Sequence, residues 1–149
     1  MLGDNAYYSG TDAEYQAAVF DVFQDLLRTT PLWPTLGNHE TYSAVNGQMA
    51  YDDIFNLPQD GRAGGLPSGS ERYYSFDYGN IHFVSLDSEL AAKTAGGPML
   101  TWLEQDLAAT DKDWIIAYWH SPPYSKGSHD SDFEGNLVGM REQVVPILE

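Results

Sequence analysis

Leu36-Gly37-Asn38-His39-Glu40 marks the point where a buried strand is expected to end and a surface loop to begin. The apolar run from Leu32 to Leu36 predicts the strand, and the four residues after it are suited to metal or phosphate chemistry. In open α/β sheets ligands bind beyond the carboxyl ends of the strands, so these side chains are candidates for a functional site. The alternative is an ordinary turn, because Gly37 and Asn38 both tolerate a positive φ.

The sequence before this stretch predicts a unit of strand, helix and strand. Met1 to Asp4 has the pattern of a strand end, and Thr11 or Asp12 is suited to cap the helix that follows. That helix carries apolar residues at steps of three and four, namely Tyr15, Val19, Val22, Phe23, Leu26 and Leu27. A parallel crossover is the usual connection in such a unit, so we expect Asp4 and Asn38 side by side at one edge of the sheet.

The remaining sequence predicts an α/β fold with a mixed, largely parallel sheet and flanking helices. Gly79-Asn80 separates two β-rich runs and predicts a hairpin. Trp114 to Trp119 is continuously apolar, which is typical of a strand buried on both faces. Helices are expected over residues 48–57, from Pro98 onward and over residues 138–149. We expect structural roles for His82, within a strand, and for Asp87, as a cap.

The composition limits the partners. The chain of 149 residues has 22 acidic and 7 basic residues, and its formal net charge of -15 repels duplex nucleic acid. A phosphate-bearing substrate therefore requires bound cations that reverse the field locally. Cysteine is absent, which excludes disulfides and thiolate ligands. No apolar run approaches the length of about 20 residues that a membrane-spanning helix needs, so no membrane partner is expected.

Three successive predicted strand ends present side chains that could bind a metal ion. They are Asp4 and Tyr7, then Asn38, His39 and Glu40, then His120 with His129 further along its loop. Each has an ordinary explanation by itself, as a turn residue, a half-buried aromatic or a hydrogen-bonded histidine. Together they supply carboxylate, amide and imidazole donors, which suit hard or borderline metal ions. A phenol such as that of Tyr7 has a reference pKa near 10, so a strong Lewis acid such as ferric ion would be needed to deprotonate it at neutral pH.

Gly3-Asp4-x-x-Tyr7, Gly37-Asn38-His39-Glu40 and the apolar strand ending in His120 resemble the metal-ligand motifs of the purple acid phosphatases, within the calcineurin-like metallophosphoesterase superfamily. The resemblance extends to the connecting segments 74–79, 81–84, 86–88 and 120–125. It implies that residues 1–149 form part of a four-layer α/β/β/α sandwich, as a metallophosphoesterase domain truncated at both ends. The first Asp-x-Gly motif and the last Gly-His-x-His motif of that family are absent, which leaves four of its seven protein ligands.

The resemblance also implies a role for each matching residue. Asp4 would bridge two metal ions, Tyr7 would bind Fe(III), and Asn38 with His120 would bind a second metal ion, either Fe(II), Zn or Mn. On the substrate side, the resemblance implies three residues: His39, which would contact the phosphoryl group and protonate the leaving oxygen, His129, and Glu134 as the nearest match to a glutamate at different spacing.

These roles predict a metal-dependent hydrolase of small phosphate monoesters. A pair of metal ions offsets phosphate charge and lowers the pKa of a bound water, so that hydroxide is available near neutral pH. Proton donation by an imidazolium favours mildly acidic pH, because histidine has a reference pKa near 6.5. The alternatives are a phosphodiesterase or nucleotide hydrolase of the same superfamily and a truncated, non-catalytic fragment. We expect the parent protein to be the enzyme and the isolated chain to be inactive, and the resemblance implies a secreted or periplasmic location.

Overall fold

A three-stranded sheet lies at the centre of the computed structural model, which describes residues 1–149. Its strands are β1 (Tyr74–Tyr78), β2 (Ile81–Ser85) and β3 (Trp114–Tyr118), in the order β1-β2-β3. The predicted hairpin is confirmed, since β1 and β2 are antiparallel neighbours joined at Gly79, whose φ of 59° suits a residue without a side chain. β3 is parallel to β2. The mixed sheet with flanking helices confirms the predicted α/β class.

The helices are mostly short. They are α1 (Asp12–Tyr15), a π-helix (Gln16–Phe20), α2 (Gln24–Leu27), a 3-10 helix (His39–Ser43), α3 (Ala50–Ile54), α4 (Pro98–Ala109), α5 (Gly135–Gly139), a second π-helix (Met140–Val144) and α6 (Val145–Leu148). No helix has the length and apolar character needed to span a bilayer. The long α4 begins with Pro98 in its first turn, as predicted.

The single helix predicted after Thr11 is wrong, because the chain there divides into α1, a π-helix and α2. Thr11 does cap α1 and forms a capping box with Glu14. Beyond the π-helix, however, Val22 and Leu26 are exposed. Short helices in water depend on tertiary packing, and the second half of this segment has little of it beyond the partly buried Leu27. The apolar residues therefore keep their spacing of three and four as far as Leu27, although the chain does not form one regular helix there.

The strand predicted from Leu32 to Leu36 is also wrong. Its pairing is limited to one parallel bridge between Leu2 and Thr35. Pro31 and Pro34 have no N–H group to donate to a ladder, so regular pairing cannot extend along this segment. The bridge nevertheless brings the segment before Asp4 alongside the segment before Asn38, in the parallel sense that the crossover predicted.

The prediction that the apolar strand at residues 114–119 is buried on both faces is wrong. Trp114, Ile115 and Ile116 expose 65%, 46% and 44% of their surface. β3 is an edge strand, because only β2 pairs with it. An apolar run shows that a strand is suited to burial, whereas burial itself depends on what packs against the strand.

Two hydrophobic cores lie on opposite faces of the sheet. The first gathers Ala6, Tyr15, Val19, Leu36, Met49, Tyr51, Leu57, Tyr74 and Phe76. The second gathers Val84, Leu86, Met99, Leu100, Trp102, Leu103, Met140 and Val144. The hairpin contributes to both, because alternate residues of β1 and β2 point to opposite faces.

His82 and Asp87 have the structural roles expected of them. The buried ring of His82 lies between two carboxylates, with Nδ1 2.8 Å from Asp77 and Nε2 2.8 Å from Asp106. Asp87 is buried and accepts hydrogen bonds from three consecutive backbone N–H groups, those of residues 89–91, at 2.8–3.0 Å. The hydrogen bonds of His82 thus join β1, β2 and α4, and those of Asp87 hold the turn that follows β2.

Candidate functional site

Two glycines allow the predicted site segments to approach each other. A side chain at Gly37 would overlap the backbone nitrogen of Asp4, and one at Gly3, whose φ is 83°, would lie 2.5 Å from the ring of His120. The backbone N–H of His39 then donates to Oδ1 of Asp4 at 3.0 Å. The structure therefore places the Asp4 side chain directly against the turn that follows Gly37.

Three hydrogen-bond acceptor atoms converge at this point. Nε2 of His120 lies 3.1 Å from Oδ1 of Asn38 and 3.5 Å from Oδ2 of Asp4. Nδ1 of His120 lies 2.8 Å from the carbonyl oxygen of Leu2, so Nδ1 carries the proton and Nε2 presents its lone pair. A carboxylate oxygen, an amide oxygen and an imidazole nitrogen thus face one another.

This donor set fits a metal ion. Ligands bound at about 2.0–2.2 Å to a single cation are separated from each other by about 3.0–3.4 Å, close to the spacing of these acceptors. The structure contains no group of three histidine, aspartate or glutamate side chains arranged to hold a metal ion. The amide oxygen of Asn38 is therefore essential to the donor set.

Tyr7 lies beside this group and is exposed, and its ring packs against that of His39 with centroids 4.1 Å apart. Tyr8 and Tyr42 contact the other sides of the same imidazole, each with ring centroids 4.9 Å from it. Nδ1 of His39 lies 2.6 Å from the carbonyl oxygen of Tyr8, and Nε2 lies 3.9 Å from Oδ2 of Asp4. The ring is held so that Nε2, on the side of Asp4, is the nitrogen available to a substrate.

His129 and Glu134 form a pair on another wall of the site, with 2.8 Å between Nδ1 and Oε2. The hydrogen bond to Glu134 raises the pKa of His129, and the same contact lowers the pKa of Glu134. Glu134 also accepts the backbone N–H of Asp130 at 2.8 Å. The match of Glu134 to the family motif is loose in spacing, and the structure places Glu134 against His129.

The seven residues to which the resemblance gives a role all line one cavity of about 890 Å³. Its walls are Asp4, Tyr7, Tyr8, Asn38, His39, Tyr42, Glu89, His120, Ser121, Pro122, His129, Glu134, Gly135, Asn136 and Leu137. Carboxylates and histidines are present, but lysine and arginine are absent from this lining. The cavity therefore cannot attract a phosphate group strongly unless cations are bound in it. The individual roles given to the seven residues stay predictions.

The sequence pattern included Glu40 among the side chains that could bind a metal ion, and the resemblance gave it no role. Its side chain is fully buried, and its two oxygens accept the backbone N–H groups of Asp4, Asn5, Ala6 and Gly37 at 2.5–3.2 Å. The available signal was a charged residue directly after Asn38 and His39, where the chain was expected to leave the core.

Glu89 was also missed. It lies on the cavity wall and accepts hydrogen bonds from the hydroxyl groups of Ser88 at 2.8 Å and Ser121 at 2.6 Å, and from the amide of Asn136 at 3.0 Å. Two of these partners, Ser121 and Asn136, come from distant parts of the sequence, so no local pattern could identify Glu89. Its hydrogen bonds join the loop after His120 to α5.

The chain is similar to known phosphoesterases. The family model for calcineurin-like phosphoesterases matches residues 1–142. The chain is 35% identical to purple acid phosphatase 15 of Arabidopsis thaliana over 68% of this chain and 19% of that protein. It is 33% identical to purple acid phosphatase 23 of the same plant over 80% of this chain and 26% of the relative. It is 28% identical to tartrate-resistant acid phosphatase type 5 of Sus scrofa over 99% of this chain and 47% of the relative.

The chain spans about half the length, or less, of these curated relatives. The family generally uses a dinuclear metal centre. The match of the family model over nearly the whole chain, together with the converging donors of Asp4, Asn38 and His120, agrees with that chemistry. The chain therefore belongs to the calcineurin-like phosphoesterase family.

Proposed function

We propose that the protein is a phosphoric monoester hydrolase of the acid phosphatase type that uses a dinuclear metal centre. The observation that carries the proposal is the convergence of acceptor atoms from Asp4, Asn38 and His120 beside the ring of His39. The acid phosphatases among the relatives support the same reaction class.

Asp4, Asn38 and His120 would hold one metal ion, and Asp4 with Tyr7 would contribute to a second, for which Fe(III) is proposed. The partner of Fe(III) would be Fe(II), Zn or Mn. When bound, the metal ions would offset the charge of the phosphate and activate a water molecule for in-line attack. The protein supplies the orientation, since the carbonyl oxygen of Leu2 keeps the proton of His120 on Nδ1.

His39 and His129, which lie on two walls of the cavity, would contact the substrate. His39 holds a proton on Nδ1 against the carbonyl oxygen of Tyr8, so its Nε2 would deliver a proton to the leaving oxygen. His129 would offer a positive charge to the phosphoryl group, because the hydrogen bond to Glu134 raises its pKa and keeps the imidazolium populated to higher pH. Both roles favour mildly acidic conditions.

The test compares metal binding and hydrolysis in the same preparations. The wild-type chain is loaded with iron and zinc, and its metal content, visible spectrum and hydrolysis of p-nitrophenyl phosphate and bis(p-nitrophenyl) phosphate are measured at pH 5. The same measurements are made on Asp4→Asn and on a control, Asp111→Asn, whose side chain is 95% exposed and lies outside the cavity.

The expected results are metal binding that is lost in Asp4→Asn and retained in Asp111→Asn and, in any preparation that hydrolyses an ester, preference for the monoester. Preferential hydrolysis of the diester would replace the proposal with a phosphodiesterase. Metal binding without hydrolysis of either ester would show that these 149 residues hold part of the site but lack the activity. Absence of metal binding would refute the proposal.

A further inference from the structure

We infer that Glu40 is the positioning residue of the metal centre, which it would serve by fixing the Asp4 segment against the Asn38 segment before any metal ion binds. The inference rests on the proposed function insofar as it takes Asp4 and Asn38 as metal ligands. Glu40 is not proposed as a metal ligand, because its two oxygens accept hydrogen bonds from four backbone N–H groups.

A single carboxylate here joins two segments that are more than 30 residues apart in the sequence. Oε2 of Glu40 accepts the N–H groups of Asp4 and Gly37, both at 2.8 Å. Oε1 accepts those of Asn5 at 2.5 Å and Ala6 at 3.2 Å. One planar carboxylate group therefore accepts hydrogen bonds from both segments at the point where Asp4 meets Gly37.

The conformation of Asp4 depends on this contact. Its φ is 51°, a left-handed value that residues other than glycine rarely adopt. Hydrogen bonds from Asp4 and the two residues after it to Glu40 hold the backbone in that state. With the backbone fixed, Oδ1 of Asp4 accepts the N–H of His39, and Oδ2 is left 3.5 Å from Nε2 of His120. Glu40 thus determines which oxygen of Asp4 is free to bind a cation.

The charge of Glu40 is compensated only by N–H dipoles. Its side chain is fully buried and makes no ion pair with lysine, arginine or histidine. Replacing the carboxylate by an amide of the same shape leaves one acceptor oxygen and brings an NH2 group against backbone N–H groups. Such a change disrupts the junction between the segments while leaving the size of the side chain unchanged.

Asp87 provides a matched control. It is also a buried carboxylate that accepts several backbone N–H groups, but those groups all belong to residues 89–91, and none of them is a candidate ligand. If Glu40 only stabilised the fold, Glu40→Gln and Asp87→Asn would have the same kind of effect. If Glu40 positions ligands, only Glu40→Gln weakens metal binding beyond what the loss of stability explains.

The experiment uses Zn²⁺ alone as the probe and the full 149-residue chain. Zn²⁺ affinity is measured by competition with a chromogenic chelator, and thermal unfolding is measured without metal, for the wild type, Glu40→Gln and Asp87→Asn. We expect affinity to fall about 10- to 100-fold in Glu40→Gln, the range for residues that orient metal ligands. Asp87→Asn is expected to lower the melting temperature while keeping wild-type Zn²⁺ affinity.

A second measurement on the wild type needs no variant, and so covers the case in which Glu40→Gln does not fold. Amide hydrogen exchange is followed by NMR at Asp4, Asn5, Ala6 and Gly37 in the metal-free chain. The inference requires these amides to be protected before Zn²⁺ is added. Protection that develops only with Zn²⁺ would overturn it, because the metal ion would then organise the segments.

The outcomes separate this inference from the proposed function. Zn²⁺ affinity unchanged in Glu40→Gln would overturn the positioning role and leave the metal centre intact. Equal losses of affinity in Glu40→Gln and Asp87→Asn would overturn it as well, since general destabilisation would explain both. A wild-type chain that binds no Zn²⁺ would refute the metal centre, and the positioning role with it.

Discussion

The buried pair of His82 and Asp106 supports a quantitative prediction about stability. Both side chains are fully buried, and Nε2 of the ring lies 2.8 Å from Oδ2 of the carboxylate. His82→Ala leaves Asp106 with the backbone N–H of Leu66, at 2.6 Å, as its remaining partner. Asp77 is less affected, because it is partly exposed and retains Lys112 at 3.5 Å.

Removing one member of a buried ion pair costs about 3–5 kcal/mol of unfolding free energy. Because Asp106 keeps its hydrogen bond from the N–H of Leu66, we expect a loss at the lower end of this range, about 3 kcal/mol. For a chain of this size 1 kcal/mol corresponds to about 2–4 °C, so the melting temperature should fall by about 6–12 °C. A loss of this size would be a large share of the stability of an ordinary domain.

The loss of unfolding free energy in His82→Ala should depend on pH. Burial lowers the pKa of His82, but the hydrogen bonds to Asp106 and Asp77 outweigh it, and the pKa is raised above its usual value near 6.5. A raised pKa in the folded state adds stability that is fully present below pH 6.5 and is lost as pH rises through the folded-state pKa. His82→Ala should therefore differ from the wild type more at pH 5 than at pH 9.

Urea denaturation followed by tryptophan fluorescence at the two pH values measures both effects, since Trp102 is buried in the same helix as Asp106. His129→Ala is the control, because its contact with Glu134 has the same 2.8 Å distance but is exposed to solvent. That variant should keep the wild-type midpoint. A loss under about 1 kcal/mol in His82→Ala at pH 5 would refute the assignment of a charged, buried imidazolium, and so would equal losses at both pH values.

Three further predictions concern the site and the first core. Gly37→Ala should abolish Zn²⁺ binding in a chelator competition assay, because the added methyl group would overlap the backbone of Asp4. Tyr7→Phe should remove the visible absorption band of the iron-loaded chain, if the phenolate is the Fe(III) ligand. Phe76→Ala should lower the unfolding free energy by about 3–5 kcal/mol in urea denaturation, because the ring stacks on Trp33 at 4.2 Å within the first core.

Each of these three predictions has a control variant or a result that would contradict it. Tyr42→Phe should keep the visible band, since Tyr42 contacts His39 without being a proposed ligand. Wild-type Zn²⁺ affinity in Gly37→Ala would contradict the close approach of the two segments. A loss under about 1 kcal/mol in Phe76→Ala would mean that the ring is not part of a packed core.

Local signals explain which parts of the fold could be predicted. Gly79-Asn80 fixed the hairpin and Pro98 fixed the start of α4, because each acts through backbone conformation alone. The helix after Thr11 and the burial of β3 depended on partners that the sequence pattern cannot show. The segment before Gly37 does not form the predicted strand, because Pro34 has no N–H group to donate to a ladder.

The candidate site likewise contains residues that a local pattern predicts and residues that only the fold brings together. Asp4, Asn38 and His120 could be predicted to lie together because each follows an apolar segment at a predicted strand end, and the structure places all three in one cavity. Glu89 could not, since its hydrogen-bond partners come together only through the fold. Glu40 stood inside a recognised motif, but its contact with the segment after Gly3 is visible only in three dimensions.

The placement of the two cores has a consequence for how an occupant of the cavity affects the whole molecule. His39 belongs to the half of the chain that packs on one face of the sheet, and His129 to the half that packs on the other. A phosphate or metal ion that bridges these walls binds only when both halves are in place. Its binding energy therefore opposes the opening of either half, and it adds to the contacts that already join the halves, such as those of His120 with Leu2 and Asn38.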